Sequence, residues 1–117
     1  MNQEEHLSMA RELIGRANQE SQGGGSEMIA AEFLWGAFAH CLIAVAQNER
    51  LPHDSHGSFG RVARHMDAAQ VGNRWRSYFG SAEQLHEHFY HGDLTARELH
   101  THTQLTARGA LELLSTL

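Results

Sequence analysis

Apolar residues recur at intervals of three and four along almost the whole chain, and this spacing is typical of amphipathic helices. The first apolar stripe predicts a helix from about Asn2 to Glu20. Its members are Leu7, Ala10, Leu13, Ile14 and Ala17. Three glycines at 23–25 end this helix, and Ser26 followed by Glu27 predicts the start of the next one, because a serine side chain caps free backbone N–H groups and an acid suits the first turn. We therefore expect the first two helices to form an antiparallel hairpin.

The second helix is the most apolar part of the chain. Residues 28–46 are nineteen mostly apolar positions, close to the roughly 20 that are needed to cross a bilayer. Glu32 and His40 interrupt the segment, and an ionisable group at bilayer depth costs about 3 kcal/mol. We therefore interpret it as the central helix of a water-soluble bundle. It is expected to end near Asn48, because Pro52 disfavours helical geometry in the residue before it.

The second half of the chain predicts further helices. Apolar residues repeat with helical period over 59–69 and, after a break near Gly72, over 75–89. Gly80 leaves open whether the later stretch is one helix or two, since residues 81–84 have the sequence of a capping box that starts a helix.

The last helix is predicted from its start signal. Thr95 and Glu98 have the spacing of a capping box, so the helix should run from about Ala96 to Ser115. No segment shows the period-two alternation of a β-strand. The fold class predicted is therefore all-α, a single domain over residues 1–117 built as an up-and-down bundle of four long helices plus a short one.

The charge and the cysteine content limit which binding partners and which cellular compartment are expected. Nine arginines, no lysine and fourteen acidic residues leave a net charge of -5, so the chain lacks the broad basic surface of a non-specific nucleic-acid binder. The one cysteine, Cys41, excludes a disulfide framework and lies in the apolar helix, where a buried, inert thiol is expected. The first residues have no signal-peptide pattern. These features predict a cytoplasmic protein without a membrane segment.

Ten histidines raise the question of a metal site. A di-iron bundle needs two Glu-x-x-His pairs, and the sequence has one, Glu83 with His86. His53 and His56 lie close enough in sequence to bind one ion, with Asp54 between them, but a catalytic zinc needs a third protein ligand that the sequence does not identify. Solvated or hydrogen-bonded histidines are the simpler interpretation, so we expect no metal and no cofactor.

One polar stripe interrupts the apolar helix. Glu32, Gly36 and His40 are spaced at i, i+4 and i+8 and share one side of it. Burying an unpaired carboxylate costs several kcal/mol, so Glu32 must reach solvent, an arginine or a groove. Gly36 allows another backbone or a ligand to approach closely. The stripe predicts either a buried polar pair that fixes helix register or the wall of a binding groove.

Three stretches of the sequence resemble a known family. Residues 30–40 contain a Trp-Gly-Ala core-helix segment, residues 51–56 form a histidine-bearing loop, and residues 85–94 contain His86-x-x-Phe-Tyr90. Together they resemble HEPN-like helical bundles, in particular the PaREP1-type branch, over roughly residues 5 to 115. The resemblance implies a helical fold and, as in many members of the group, a homodimer.

Many HEPN proteins are ribonucleases with an Arg-x4-6-His motif. The resemblance therefore implies a search for this motif, and the sequence contains two matches. Arg97 with His102 matches it late in the chain, where the family has it, and Arg50 with His56 matches it in the loop. Histidine accepts a proton near neutral pH and arginine binds phosphate, so the pair suits RNA cleavage. Residues five apart on a helix point about 140° apart, however, so a dimer or a local distortion would have to bring Arg97 and His102 together.

Three functions remain open from the sequence. The first is a HEPN-like interaction module that binds a nucleotide, RNA, a partner protein or a second copy of itself through a groove. The residues assigned to this groove are Glu32, Gly36, His40, His53, His56, His86 and Tyr90. The second is a toxin-type, dimeric, metal-independent ribonuclease that uses Arg97 and His102. The third is a metal-dependent bundle enzyme. Ribonuclease activity that persists in EDTA and is lost in His102→Ala is specific to the second.

Overall fold

Five α-helices account for most of the residues that the computed structural model describes, which are 1–70 and 72–117, with the side chain of His56 outside the description. The helices are α1 (Gln3–Gln22), α2 (Glu27–Glu49), α3 (His56–Ala68), α4 (Arg74–His91) and α5 (Ala96–Thr116). No strand occurs in these residues. The prediction of an all-α bundle with four long helices and a short one is therefore confirmed.

Local side chains cap four of the helices. At the start of α3, the Ser55 hydroxyl accepts a hydrogen bond from the Ser58 N–H at 3.1 Å. The Ser26 hydroxyl accepts a hydrogen bond from the Ile29 N–H at 3.2 Å and starts α2 as predicted. The capping box of Thr95 and Glu98 forms at the start of α5. A second capping box, between Asn2 and Glu5, starts α1. Each of these signals lies within four consecutive residues, which makes it readable from sequence.

The possible division of α4 at Gly80 does not occur, because the helix runs unbroken from Arg74 to His91. Ser81 is buried, and its hydroxyl hydrogen-bonds His102 Nδ1 of α5 at 3.0 Å. The serine therefore joins two packed helices and does not start a new one.

The start of α4 is capped by a residue of the preceding helix. Asn73, at the N-cap position, makes no side-chain cap hydrogen bond. The buried carboxylate of Asp67 in α3 instead accepts hydrogen bonds from the backbone N–H of Trp75 at 2.9 Å and of Arg76 at 3.1 Å. Arg76 Nε also donates to it at 2.9 Å. Burial alone would raise the pKa of Asp67, but these hydrogen bonds outweigh it and the pKa is lowered.

Contacts between helices give the topology. Gln47, near the end of α2, donates a hydrogen bond to the carbonyl of Met1, so α1 and α2 are antiparallel. Arg74 contacts Glu112, and Ser81 contacts His102. Later residues of α4 thus contact earlier residues of α5, so these two helices are antiparallel. The methyl group of Met28, at the start of α2, lies near Gly92, just after α4, so these helices are also antiparallel. The long helices alternate up and down, with α3 in the connection between α2 and α4.

The core is organised around α2, in which twelve of 23 residues are buried. By length and composition this helix is apolar enough to cross a membrane, with a mean hydropathy of 1.8, but other helices of the bundle pack against it. This packing favours a water-soluble bundle, as the sequence predicts. Cys41 is fully buried on α2, so the prediction of a buried thiol is confirmed, and burial raises the pKa of this thiol to about 12.

At Gly109, α5 packs closely against α2 and α4, so a larger side chain at this position should destabilise the protein. A Cβ atom there would lie 2.8 Å from Tyr78 Cγ and 2.9 Å from Phe38 Cε2, both in buried side chains. Gly109→Ala should therefore lower the free energy of unfolding by about 1–3 kcal/mol, measured by urea titration at constant m value. Gly80→Ala is the control, because nothing lies within 4 Å of its Cβ, and its higher helix propensity should leave stability equal or raised by up to about 1 kcal/mol. Equal stability of the two variants would show that α5 does not approach α2 and α4 this closely.

Candidate functional site

A strip of α2 lies open between α1 and α4. Both helices pack on α2, yet within the described part of the chain no Cα atom of α1 lies within 8 Å of a Cα atom of α4. Glu32, Gly36 and His40 are half-buried along this strip. Glu32 contacts α4, whereas Gly36 and His40 contact α1. We call this strip and the side chains along its two edges the α2 groove.

A hydrogen-bonded pair of Glu32 and His86 joins the floor of the groove to α4. Glu32 Oε1 lies 2.8 Å from His86 Nδ1, and Oε2 lies 3.2 Å from the same atom. Both side chains are about one quarter exposed, at 23% and 24%. The pair is thus partly removed from water but still accessible from the groove.

Two aromatic rings flank His86. Its imidazole stacks on the indole of Trp35, with ring centroids 4.7 Å apart and an interplanar angle of 22°. Tyr90, one turn further along α4, meets the imidazole edge-on at 5.3 Å. Trp35 is only 7% exposed and belongs to the core, whereas Tyr90 is 67% exposed. A polar pair and a large exposed aromatic ring therefore lie side by side.

The hydrogen bond to Glu32 determines the tautomer of His86. Burial raises the pKa of Glu32, and the hydrogen bond from His86 opposes that rise. An ionised carboxylate only accepts hydrogen bonds, so Nδ1 of His86 carries a proton and donates it to Glu32. The geometry gives an imidazole that is oriented by a carboxylate at the edge of the groove.

A pair of histidines lies at the other end of the floor. His6 of α1 and His40 of α2 place their Nδ1 atoms 2.8 Å apart. One ring must donate and the other accept, so the pair requires that at least one ring is neutral. Burial lowers the pKa of His6, and His40 and His53 lower it further by electrostatic repulsion. Burial also lowers the pKa of His40.

The structure leaves the predicted ribonuclease pair apart. Arg97 is exposed in the first turn of α5, and His102 is half-buried with its Nδ1 bonded to Ser81. Both lie on the same continuous helix, so their side chains point about 140° apart. The second candidate pair includes Arg50, which ends α2 with φ 57 in the left-handed region, and His56, whose side chain lies outside the described residues. Both pairs stay predictions.

Metal ligands are not assembled in the part of the chain that the structure describes. No group of three or more His, Cys, Asp or Glu side chains is placed there to hold an ion. His53 is half-buried in the loop before α3 and acts electrostatically on His6. The proposed pairing of His53 with His56 depends on a side chain outside the described residues.

Sequence reasoning missed two residues that contact the side chains of the groove, His6 and Trp35. His6 was not selected, although it lies four residues before Ala10 and seven before Leu13, on the apolar stripe of α1. Trp35 was part of the stretch that resembles HEPN proteins but was not assigned a role. Its position three residues after Glu32 was the available signal, because residues at i and i+3 are neighbours on a helix.

Comparison with protein-family models, with curated proteins and with solved structures finds no match to this chain.

The His6–His40 pair predicts a loss of stability in acid. Both groups have folded-state pKa values below the unfolded value of 6.5, so the unfolded chain binds protons first as the pH falls. The free energy of unfolding should be highest above about pH 7 and should decrease as the pH falls through 6.5 and then through the folded-state values. Urea titrations between pH 8 and pH 5 measure this slope.

The matched variants are His40→Gln and His100→Gln. His100 is exposed on α5. The dependence of unfolding free energy on pH should be flatter in His40→Gln and unchanged in His100→Gln. If His40→Gln keeps the slope of the parent protein, the histidine pair does not cause it.

Proposed function

We propose that this chain is a cytoplasmic, HEPN-like helical module of the PaREP1 type that binds a planar, nitrogen-containing ring, such as the base of a nucleotide, in the α2 groove. Support comes from two of the three stretches of sequence that carry the family resemblance, residues 30–40 and 85–94. They are distant in the chain, yet Trp35 of one stacks on His86 of the other. A shared site accounts for both motifs.

The observation that carries the proposal is the Glu32–His86 pair. Taking a carboxylate and an imidazole partly out of water is costly, and replacing a buried ion pair with packed apolar side chains is often neutral or stabilising by about 1–4 kcal/mol. Stability of the bundle therefore gives little reason for placing a carboxylate and an imidazole on its central helix and its neighbour. Recognition of a ligand gives such a reason.

The groove chemistry suits a nucleobase. The exposed ring of Tyr90 offers a stacking surface, and stacking of a base on an aromatic side chain contributes about 1–3 kcal/mol. An ionised carboxylate has about four acceptor sites, so Glu32 can accept from amino and imino groups of a base while it still accepts from His86. Guanine, which presents N1–H and an amino group side by side, matches this acceptor best.

The groove side chains named above include no arginine, so the phosphates of a nucleotide would lie outside the site. A nucleoside and its 5′-monophosphate should therefore bind with similar affinity. This distinguishes base recognition from phosphate recognition, in which the monophosphate binds more tightly and its binding weakens with added salt.

Isothermal titration at pH 7.5 with guanosine, adenosine, cytidine and uridine tests the proposal. We expect guanosine to bind the parent protein, and Glu32→Gln and Tyr90→Ala each to weaken it at least about tenfold, which is about 1.4 kcal/mol. Glu87→Gln is the matched control, because Glu87 is exposed on α4 next to His86. Absence of binding by all four nucleosides, or equal binding by Glu32→Gln and the parent, would contradict base recognition.

The family resemblance also leads us to propose a homodimer. Light scattering over a range of concentrations should give twice the chain mass of 13.1 kDa. A constant mass of one chain at high concentration would contradict the dimer but would leave the groove proposal standing, since every residue used there belongs to one chain.

A further inference from the structure

Positive charge is concentrated in one segment of this acidic chain. Residues 50–82 contain five of the nine arginines but only two of the fourteen acidic residues, so their formal charge is +3, against -5 for the whole chain. Most of this segment forms α3 and the first half of α4, which pack against each other as an antiparallel pair. The net charge of the chain therefore conceals a local basic surface.

Three exposed arginines lie side by side on this pair of helices. Arg61 and Arg64 are three residues apart on α3 and so are neighbours on its surface. Arg76 of α4 bonds Asp67, which follows Arg64 by three residues on α3. A Cβ atom at Gly60 would lie 3.5 Å from an aromatic ring of α4 and 3.7 Å from Arg64 Nη1, so the Arg64 guanidinium lies on the side of α3 that faces α4. We call Arg61, Arg64 and Arg76 the arginine surface.

The guanidinium groups of this surface are available to a partner. Arg61 and Arg64 form no ion pair within the described part of the chain. The Arg76 guanidinium donates to buried Asp67 from Nε, and 53% of the Arg76 side chain is exposed. A guanidinium carries five N–H donors and binds a phosphate through two of them, so each arginine can contact one phosphate group.

The arginine surface lies along α4 from the α2 groove. Phe79, the ring of α4 that Gly60 faces, is seven residues before His86, which is about 10 Å along the helix axis. Arg76 is ten residues before His86, which is about 15 Å. A ligand with a base at the Glu32–His86 pair would therefore have to continue for more than one nucleotide to bring phosphates to the arginines.

Acidic side chains separate the two surfaces. Glu32 lies in the groove, and Glu83 is half-buried on α4 between His86 and Arg76. Like charges repel, so both carboxylates disfavour a phosphate directly next to the bound base. This agrees with the expectation that a nucleoside and its monophosphate bind with similar affinity. Phosphates further along an oligonucleotide would pass the acids and meet the arginines.

We propose that the arginine surface binds phosphates of a single-stranded nucleic acid, one base of which occupies the α2 groove. The ligand is then an oligonucleotide and not a mononucleotide. The position of the base rests on the function proposed above, whereas binding of phosphates at the arginine surface does not. Arginine also pairs with carboxylates, but the neighbouring groove for a base favours a nucleic acid over an acidic peptide.

Isothermal titration with the heptanucleotide d(TTTGTTT) tests the proposal, because its backbone can extend to either side of the guanine. At about 50 mM salt it should bind at least about tenfold more tightly than guanosine, since its phosphates add electrostatic attraction. With three phosphates contacted, the logarithm of the binding constant should fall with the logarithm of salt concentration at a slope of about -2. The matched control is the same sequence with methylphosphonate linkages, which are uncharged. Equal binding by the charged and the uncharged backbone overturns the proposal.

Arg64→Gln and Arg108→Gln remove the same charge from different places, because Arg108 is exposed on α5. Arg64→Gln should weaken binding of d(TTTGTTT) at least about threefold and make the salt slope shallower by about 0.7, which is the value for one phosphate contact on a single strand. Its affinity for guanosine should not change. Arg108→Gln should bind d(TTTGTTT) like the parent protein. Equal effects of the two variants would show a response to net charge alone and would overturn the proposal.

Further ligands separate this proposal from the one for the groove. If d(TTTTTTT) binds as tightly as d(TTTGTTT) and depends equally on Arg64, phosphate binding stands and guanine recognition fails. If guanosine binds but d(TTTGTTT) binds no more tightly, the groove stands and the arginine surface fails. A heptaglutamate peptide that binds as tightly as d(TTTGTTT) overturns the choice of a nucleic acid. Tighter binding by r(UUUGUUU) than by d(TTTGTTT) assigns the ligand as RNA, and the reverse assigns it as DNA; either result supports the proposal.

Discussion

Burial of α2 is the constraint on which the rest of the structure depends. The helix is apolar around most of its circumference, so α1, α4 and α5 must each cover part of it. Gly36 and Gly109 allow close packing at this centre, with Leu13 against the first and Phe38 of α2 against the second. Where α1 and α4 leave α2 open, polar side chains replace apolar ones. The groove is thus a direct result of incomplete coverage of the central helix.

The groove places buried apolar rings next to polar side chains that reach solvent. Trp35 and the ring face of His86 belong to the apolar interior, whereas Glu32 and Tyr90 reach the surface. Such a boundary lets a flat molecule lose part of its hydration while its polar edge still finds partners. The arginine–histidine pair on α5 has no comparable setting, because Arg97 is exposed and His102 is used in holding α5 to α4.

Much of the fold could be predicted from sequence because its signals are local. The caps at Ser26 and Thr95 and the period of the apolar stripes each involve residues close in sequence. The partnerships of the site involve long separations, 54 residues for Glu32 with His86 and 34 for His6 with His40. Spacing placed Glu32 and His40 on one stripe, but only the packing of whole helices selects their partners.

The cap that Asp67 provides has a consequence for how the bundle opens. Because a side chain of α3 holds the N–H groups of Trp75 and Arg76, the first turn of α4 loses its cap whenever the end of α3 unfolds. These two segments should therefore exchange their amide hydrogens with solvent as one cooperative unit, with similar protection. A helix of 13 residues in this way controls the fraying of a neighbour of 18 residues.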